Sequence, residues 1–322
     1  MDKIYDILVV GGGPAGVTSA IYAKRAGRDV AIIEKFVIGG QLSLIGEIEN
    51  YPGFSSIAGD ELAKDFRNHA KSLDIPFIYD DISDFDLAGD VKTVASKKQS
   101  YKAKAVILAM GSHPKELNID GEKNFIGRGV SYCALCDGNF FKNQDVAVVG
   151  SGDSAVSDAL YLSNICKNVY ILTKNQLKLN NYSEDDLSER ENIKVLKGAI
   201  SKQIEGDNKV QTLVYGKDGE ERNLDVNAVF VAIGRKPDTD NLKDKINLND
   251  RGFIETTDRM ETSTKGVYAC GDVRTSVIKQ IATAVGDGAI AGNEASKYVL
   301  IMDKVNNCLL YTSPSPRDST SC

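Results

Sequence analysis

Ile7-Leu8-Val9-Val10-Gly11-Gly12-Gly13-Pro14-Ala15-Gly16 decides the fold. Four consecutive apolar residues read as a strand buried on both faces. The glycines that follow allow a tight turn, and a helical stretch runs from about Ala15 to Ala26. A second apolar run, Val30-Ala31-Ile32-Ile33, ends at Glu34, 18 residues after Gly16. Strand, glycine turn, helix, strand and acid thus fall in the register of a dinucleotide-binding unit. Gly11 permits the turn, Gly13 lets the backbone approach a pyrophosphate, and Gly16 allows the helix to pack on the strand. Pro14 and Ala15 start the helix, whose N-terminal amides favour an anion. Glu34 is placed to accept hydrogen bonds from ribose hydroxyls.

The same plan recurs further along. Asp6-x-x-Val-Val-Gly-x-Gly is repeated at Asp145, where Val146-Ala147-Val148-Val149 precedes Gly150-Ser151-Gly152-Asp153-Ser154-Ala155. A helix is expected from Ser154 to about Asn164, and the next strand at Val169-Tyr170-Ile171-Leu172. Gly150, Gly152 and Ala155 take the turn and packing positions, with Asp153 and Ser154 at the helix start. After that strand an NAD site prefers an acid, whereas an NADP site needs cations for the 2′-phosphate. The chain offers Thr173, Lys174, Asn175 and Gln176, with Lys178 further on. This leans toward NADPH through Lys174, or toward a degenerate site, or leaves Lys174 as a solvated surface lysine.

Between the two turns lies Cys133-Ala134-Leu135-Cys136-Asp137. Two cysteines separated by two residues can close a small disulfide ring and reopen it. One thiolate attacks a substrate disulfide and the second thiol resolves the mixed disulfide. Asp137 directly follows, and no nearby histidine can move the proton, so Asp137 is the candidate acid/base. Two nucleotide sites around a dithiol read as a relay from nicotinamide to flavin to disulfide.

Further strand candidates are Ala105-Val106-Ile107-Leu108-Ala109 and Val229-Phe230-Val231-Ala232, which lead to Gly111 and Gly234. Gly111 is placed with the first nucleotide site. Gly266 to Asp272 reads as a late strand, followed by an Ala- and Gly-rich helix from roughly Ile278 to Tyr298. The Gly271-Asp272 carboxylate at the strand end suits a ribityl hydroxyl. The fold class is therefore α/β, with two Rossmann-like nucleotide-binding domains, the second inserted into the first. The expected boundaries are 1–113 plus 242–307 for the FAD-binding domain and 114–241 for the NAD(P)-binding domain carrying the dithiol. Residues 308–322 read as translated adapter DNA and are set aside, a Ser/Pro tail being the other reading.

The bulk numbers agree with an enzyme of this kind. The chain has 322 residues, 42% apolar and 26% charged, which is the profile of a globular protein of two domains. Its net charge of -6 argues against nucleic acid or an anionic membrane as partner. No apolar run reaches the ~18 residues of a membrane span. Met1 leads directly into the first strand without a signal peptide, so a cytoplasmic location is expected. Of six cysteines, Cys166 and Cys270 sit singly on apolar segments and read as core residues. The only histidines, His69 and His113, have no spaced partner, and no metal is expected.

With these motifs in place the chain resembles the thioredoxin reductase family of small bacterial-type flavoproteins over about residues 4–300. Gly39-Gly40-Gln41-Leu42 and Glu49-Asn50-Tyr51-Pro52-Gly53 belong to the same pattern. The resemblance implies that the first turn binds FAD, with Gly40, Gln41, Leu42, Asn50, Gly271 and Asp272 beside it. Lys279-Gln280-Ile281 matches the family's Arg-Gln-Ala flavin contact with both ends replaced. It further implies that Cys136 lies nearest the flavin and Cys133 attacks thioredoxin, and that the protein is a homodimer whose domains rotate. One departure stands out. The family carries His-Arg-Arg after the second unit's strand and a later arginine, where this chain has Thr173-Lys174-Asn175 and Leu179. The leading expectation is thioredoxin-disulfide reduction with NADPH as donor. A second keeps flavin and dithiol but takes electrons from ferredoxin. A third, of another class, is a flavin redox sensor without turnover, against which the complete dithiol motif speaks.

Overall fold

Why the apolar runs become strands is visible in their surroundings. In the computed structural model, which describes residues 3–312, Ile4–Val10 is the centre of a sheet ordered Phe77–Tyr79, Val30–Glu34, Ile4–Val10, Ser100–Leu108, Lys92–Ala95, Asp84–Asp86. Val267–Ala269 pairs with Ser100–Leu108 on the same sheet. Ile4–Val10 is parallel to both neighbours, and the last two strands are antiparallel. Ile7, Leu8 and Val9 are fully buried, because each face of the sheet is covered. One face, through Ile7, Val9, Ile32 and Ile107, packs against the helices Pro14–Arg25 and Ile281–Thr312. The other, through Leu8, Val10, Ile33 and Leu108, packs against Phe85, Val94, Leu242 and Ile254.

This unit comprises residues 3–47, 51–112 and 237–312. A second compact unit comprises 48–50 and 113–236. Its sheet is wholly parallel, ordered Val130–Ser131, Ala228–Val231, Asp145–Val149, Asn168–Thr173, Ile193–Lys197. Asp145–Val149 holds the central place that Ile4–Val10 holds in the first unit. Val146, Val148, Ile171 and Phe230 pack on the helix Asp153–Ser163. Ala147, Val149 and Val229 pack on Leu213 and Tyr215 of a three-stranded antiparallel sheet. The α/β class and the repeated nucleotide-binding plan both stand in the structure. Cys166 and Cys270 are buried core residues, and no helix among the described residues is long and apolar enough to cross a membrane.

The helices follow their termini. Pro14–Arg25 begins with Pro at its first position and ends with Lys24 and Arg25 near the negative end of the dipole. The last long helix starts at Ile281 rather than Ile278, because Thr283 Oγ1 accepts from the Gln280 amide and caps it there. It also runs past Tyr298. Lys104 Nζ reaches Asp303 Oδ1 at 2.8 Å and Asp6 Oδ1 at 2.7 Å, tying the added turns to the central strands. Residues 308–312 continue the helix, and 313–322 of the set-aside tail lie outside the described residues. Gly288 and Gly292 of this helix face the backbone of Ala15 and Ser19, so the two helices lie in direct contact.

One buried charge runs against stability. Asp158 sits on the helix Asp153–Ser163, and burial alone pushes its carboxyl up to about 7. Its folded pKa lies above the unfolded value, so its neutral form is favoured by the fold. The contribution is complete below pH ~4 and is lost as pH rises through about 7. Asp158→Asn, which mimics the neutral acid, is expected to raise the melting temperature by roughly 2–4 °C at pH 8. The gain should shrink steadily toward pH 4. A pH-independent difference in calorimetric melts would contradict it.

Candidate functional site

The first glycine turn begins where Ile4–Val10 runs out of room. Gly11 has φ 108°, and a Cβ there would lie 2.3 Å from the carbonyl oxygen of Ala109. Only glycine fits. Its amide donates to Ile33 O at 2.8 Å. Gly13 is the N-cap of Pro14–Arg25, with extended backbone, no side-chain cap and no acid in the first turn. A Cβ on Gly13 would meet nothing within 4 Å. The open helix amides therefore face a space shaped for an anion, which is the fit a pyrophosphate requires. Ala15 is buried, and Gly16 lies against the Gly11 carbonyl.

Glu34 does something its position in the sequence did not disclose. Its Oε2 accepts from the Gly12 amide at 2.6 Å and its Oε1 from the Phe36 amide at 2.9 Å. The carboxylate thus braces the turn itself. Gly12, absent from the sequence-based set, is the residue it holds.

Other candidates gather at this end of the sheet. Gly39 N donates to Gly12 O at 2.8 Å, and Gly40 stands over Gly13. Gln41 Nε2 donates to Ser112 O at 2.8 Å and passes beside Gly111. Gly271 faces Ala15 at the helix start, with Asp272 next to it. Leu42 is 2% exposed, so its side chain is core. Asn50 groups with the second unit rather than with Gln41. Lys279 Nζ donates to Arg274 O at 2.9 Å and Ser276 Oγ at 3.0 Å, and lies 4.4 Å over the Phe253 ring. Its ammonium secures the loop that carries it, while the Gln280 amide donates to Thr283 Oγ1 at the start of the last helix. Arg274 and Asp287, which the sequence-based set lacks, also meet here, at 3.1 Å.

In the second unit Cys133 and Cys136 form a disulfide, with Cα atoms 5.3 Å apart. Cys133 is the N-cap of the one-turn helix Ala134–Asp137, and the Cys136 amide donates to its Sγ at 3.2 Å. Asp137 closes the turn, its amide bonded to Cys133 O at 3.1 Å. Ser131 joins the parts. Its Oγ donates to Asp137 Oδ2 at 2.6 Å and accepts from the Cys133 amide at 3.0 Å. Burial raises the Asp137 pKa, and the Ser131 hydroxyl offsets part of the rise. Tyr132 OH donates at 3.0 Å to Glu122, whose carboxylate is 1% exposed and also accepts from the Leu117 and Asn118 amides. The segment before the disulfide is therefore pinned on two sides. Burial pushes the Cys166 thiol up to about 11 and raises that of Cys270 as well, which disfavours a thiolate at either.

The second glycine turn repeats the first. A Cβ on Gly150 would lie 2.4 Å from Ala232 O, and its amide donates to Leu172 O at 3.1 Å. Gly152 is the uncapped N-cap. Asp153 turns aside, accepting from the Asn180 amide at 2.9 Å and Asn181 Nδ2 at 2.8 Å. Lys178 N donates to Ser151 O at 2.7 Å, so residues 178–181 lie along the turn. Ser154 is exposed and Ala155 buried. Lys174 and Lys178 carry exposed side chains, and Thr173, 2% exposed, bonds to Asn175 O.

The sequence matches the model of the pyridine nucleotide-disulphide oxidoreductase family over residues 5–288. It is 40% identical over 302 residues to thioredoxin reductase of Bacillus subtilis (strain 168), covering 92% of this chain and 96% of that one. The thioredoxin reductase structure from Streptococcus pyogenes is similar at TM-score 0.88 and 38% identity, over 94% of this chain and 100% of that one. A ferredoxin-flavin thioredoxin reductase from Clostridium acetobutylicum is similar at TM-score 0.52 and 31% identity, over 94% and 100%.

Ser131 lends itself to a direct check. Ser131→Ala removes the hydroxyl that stabilises the ionised Asp137, so the Asp137 pKa is expected to rise further. Carboxyl-labelled NMR titration should show its midpoint moving up by roughly one pH unit. A midpoint that stays put or falls would show that the hydroxyl does not govern this acid.

Proposed function

The chain belongs to the pyridine nucleotide-disulphide oxidoreductase family, and from that we propose that it is a thioredoxin-disulfide reductase using FAD and NADPH. One observation carries this reading. The Cys133–Cys136 disulfide is closed by a single helical turn whose last residue, Asp137, is a half-buried acid fixed by Ser131.

When bound, FAD supplies the two-electron carrier between nicotinamide and the Cys133–Cys136 pair. Gly11, Gly13, Pro14, Ala15 and Gly16 would hold its pyrophosphate, with Glu34 bracing the turn, and Gly40, Gln41, Gly111, Gly271 and Asp272 would lie around it. Gly150, Gly152, Ser154 and Ala155 would hold the nicotinamide nucleotide, and Lys174 would supply the cation for its 2′-phosphate. In the reduced pair, the Cys136 amide and the helix N-terminus favour a thiolate at Cys133. Cys133 attacks one sulfur of the thioredoxin disulfide, and Asp137 gives a proton to the sulfur that leaves. Asp137, now ionised, takes the proton from Cys136. The Cys136 thiolate attacks Cys133, re-forms the ring disulfide and releases the second thioredoxin sulfur. Two electrons and the one Cys136 proton have then left the pair, Asp137 is again protonated, and thioredoxin carries one thiol and one thiolate.

Ferredoxin is the alternative donor, favoured by the Thr173-Lys174-Asn175 sequence where the family carries arginines and by the likeness to the ferredoxin-flavin enzyme. A homodimer in the cytoplasm completes the reading.

Anaerobic titration of the flavin-loaded protein with NADPH, then NADH, tests the donor. Bleaching of the flavin absorbance at near-stoichiometric NADPH is expected. A flavin that stays oxidised with both nucleotides yet bleaches with reduced ferredoxin moves the donor to ferredoxin. Cys133→Ser and Cys136→Ser should each lower thioredoxin reduction by at least about 1,000-fold, with the flavin still reducible. Retained turnover in either variant would remove the dithiol from the reaction.

A further inference from the structure

The loop Gly271–Gln280 carries two of the contacts assigned to FAD, Gly271-Asp272 and Lys279-Gln280, yet holds only one short 3-10 turn, Gly271–Val273. Backbone bonds of Val273 and Thr275 to Ile254 hold its middle, and one carboxylate grips its first turn. Asp287, on the helix Ile281–Thr312, accepts through Oδ2 from the Gly271 amide at 3.2 Å and from Arg274 NH1 at 3.1 Å. Arg274 is held in turn, its Nε donating to Thr256 Oγ1 at 2.7 Å and its carbonyl accepting from Lys279 Nζ at 2.9 Å. Both charged side chains are largely withdrawn from solvent, at 15% and 14% exposure. Gly271 has φ 73°, a conformation that only glycine takes without strain, and a Cβ there would lie 2.7 Å from Ala15 Cβ. The carboxylate therefore grips the loop at the point where it meets the start of the first nucleotide-binding helix.

We propose that Asp287 and Arg274 are positioning residues for the flavin: a neutral clamp that places Gly271-Asp272 for binding and keeps an unbalanced charge away from the isoalloxazine. The proposal rests on the reading that Gly271-Asp272 contacts FAD. Two consequences follow. Breaking either half loosens the turn at Gly271 and weakens FAD. Breaking the two halves also leaves charges of opposite sign in a poorly solvated place. Reduction of the flavin adds negative charge, so a lone guanidinium favours it and a lone carboxylate opposes it.

The test uses wild type, Asp287→Asn and Arg274→Met, each stripped and reconstituted with FAD. Affinity is read from quenching of flavin fluorescence, and potential from equilibration with a reference dye. Both variants are expected to bind FAD roughly 10-fold more weakly, the scale of one charge-assisted hydrogen bond. The flavin potential should rise in Asp287→Asn and fall in Arg274→Met. A generic loosening of the fold would weaken binding without opposite shifts. Affinities within twofold of wild type, or potentials that move in the same direction, overturn the clamp. If either variant fails to fold, Thr256→Val removes the Arg274 Nε partner without changing charge. It should then weaken FAD by about threefold, and unchanged affinity counts against the proposal. Wild-type protein that takes up no FAD would instead overturn the cofactor reading on which the clamp rests.

Discussion

The carbonyl oxygen of Ala109 occupies the place where a side chain on residue 11 would begin. Much of the first unit depends on that approach. It lets the chain leave the central strand, turn sharply, and enter a helix whose first amides have no partner of their own. Ala232 and Gly150 repeat the arrangement in the second unit. In each unit the central buried parallel strand ends at such a glycine, so the apolar run and the glycine occur together twice.

That constraint explains what could be read from the residues alone. The glycine turns, the strands before them and the core character of Cys166 and Cys270 depend on local pattern, and pattern is legible. The Cys133–Cys136 pairing is equally local. The supports of the site were not legible. Glu34 bracing Gly12 spans 22 residues, and Asp287 holding Gly271 spans 16, so neither pair has a periodic signature. Ser131 is nearer its partner, but a serine two residues before a cysteine carries no mark of its bond to Asp137. Leu42 lies within a motif whose backbone faces the site, while its side chain serves the core. The last helix outran its expected end because Lys104, a distant residue, captures Asp303.

Three partly buried acids divide by their surroundings. Asp137 has a hydroxyl that eases its ionisation, and it stands one residue from a redox sulfur. Asp158 has burial alone and costs the fold stability at neutral pH. Asp287 is paired with the Arg274 guanidinium at 3.1 Å. The same residue type thus serves as proton carrier, liability and clamp, and the neighbouring donors decide which.

The contact of Gly288 and Gly292 with the helix Pro14–Arg25 has a temporal side. A ribosome makes the helix 14–25 early, but the surface that covers it comes from the helix 281–312. The whole second unit is translated in between. The helix 14–25 therefore stays without this cover for as long as the second unit is being made.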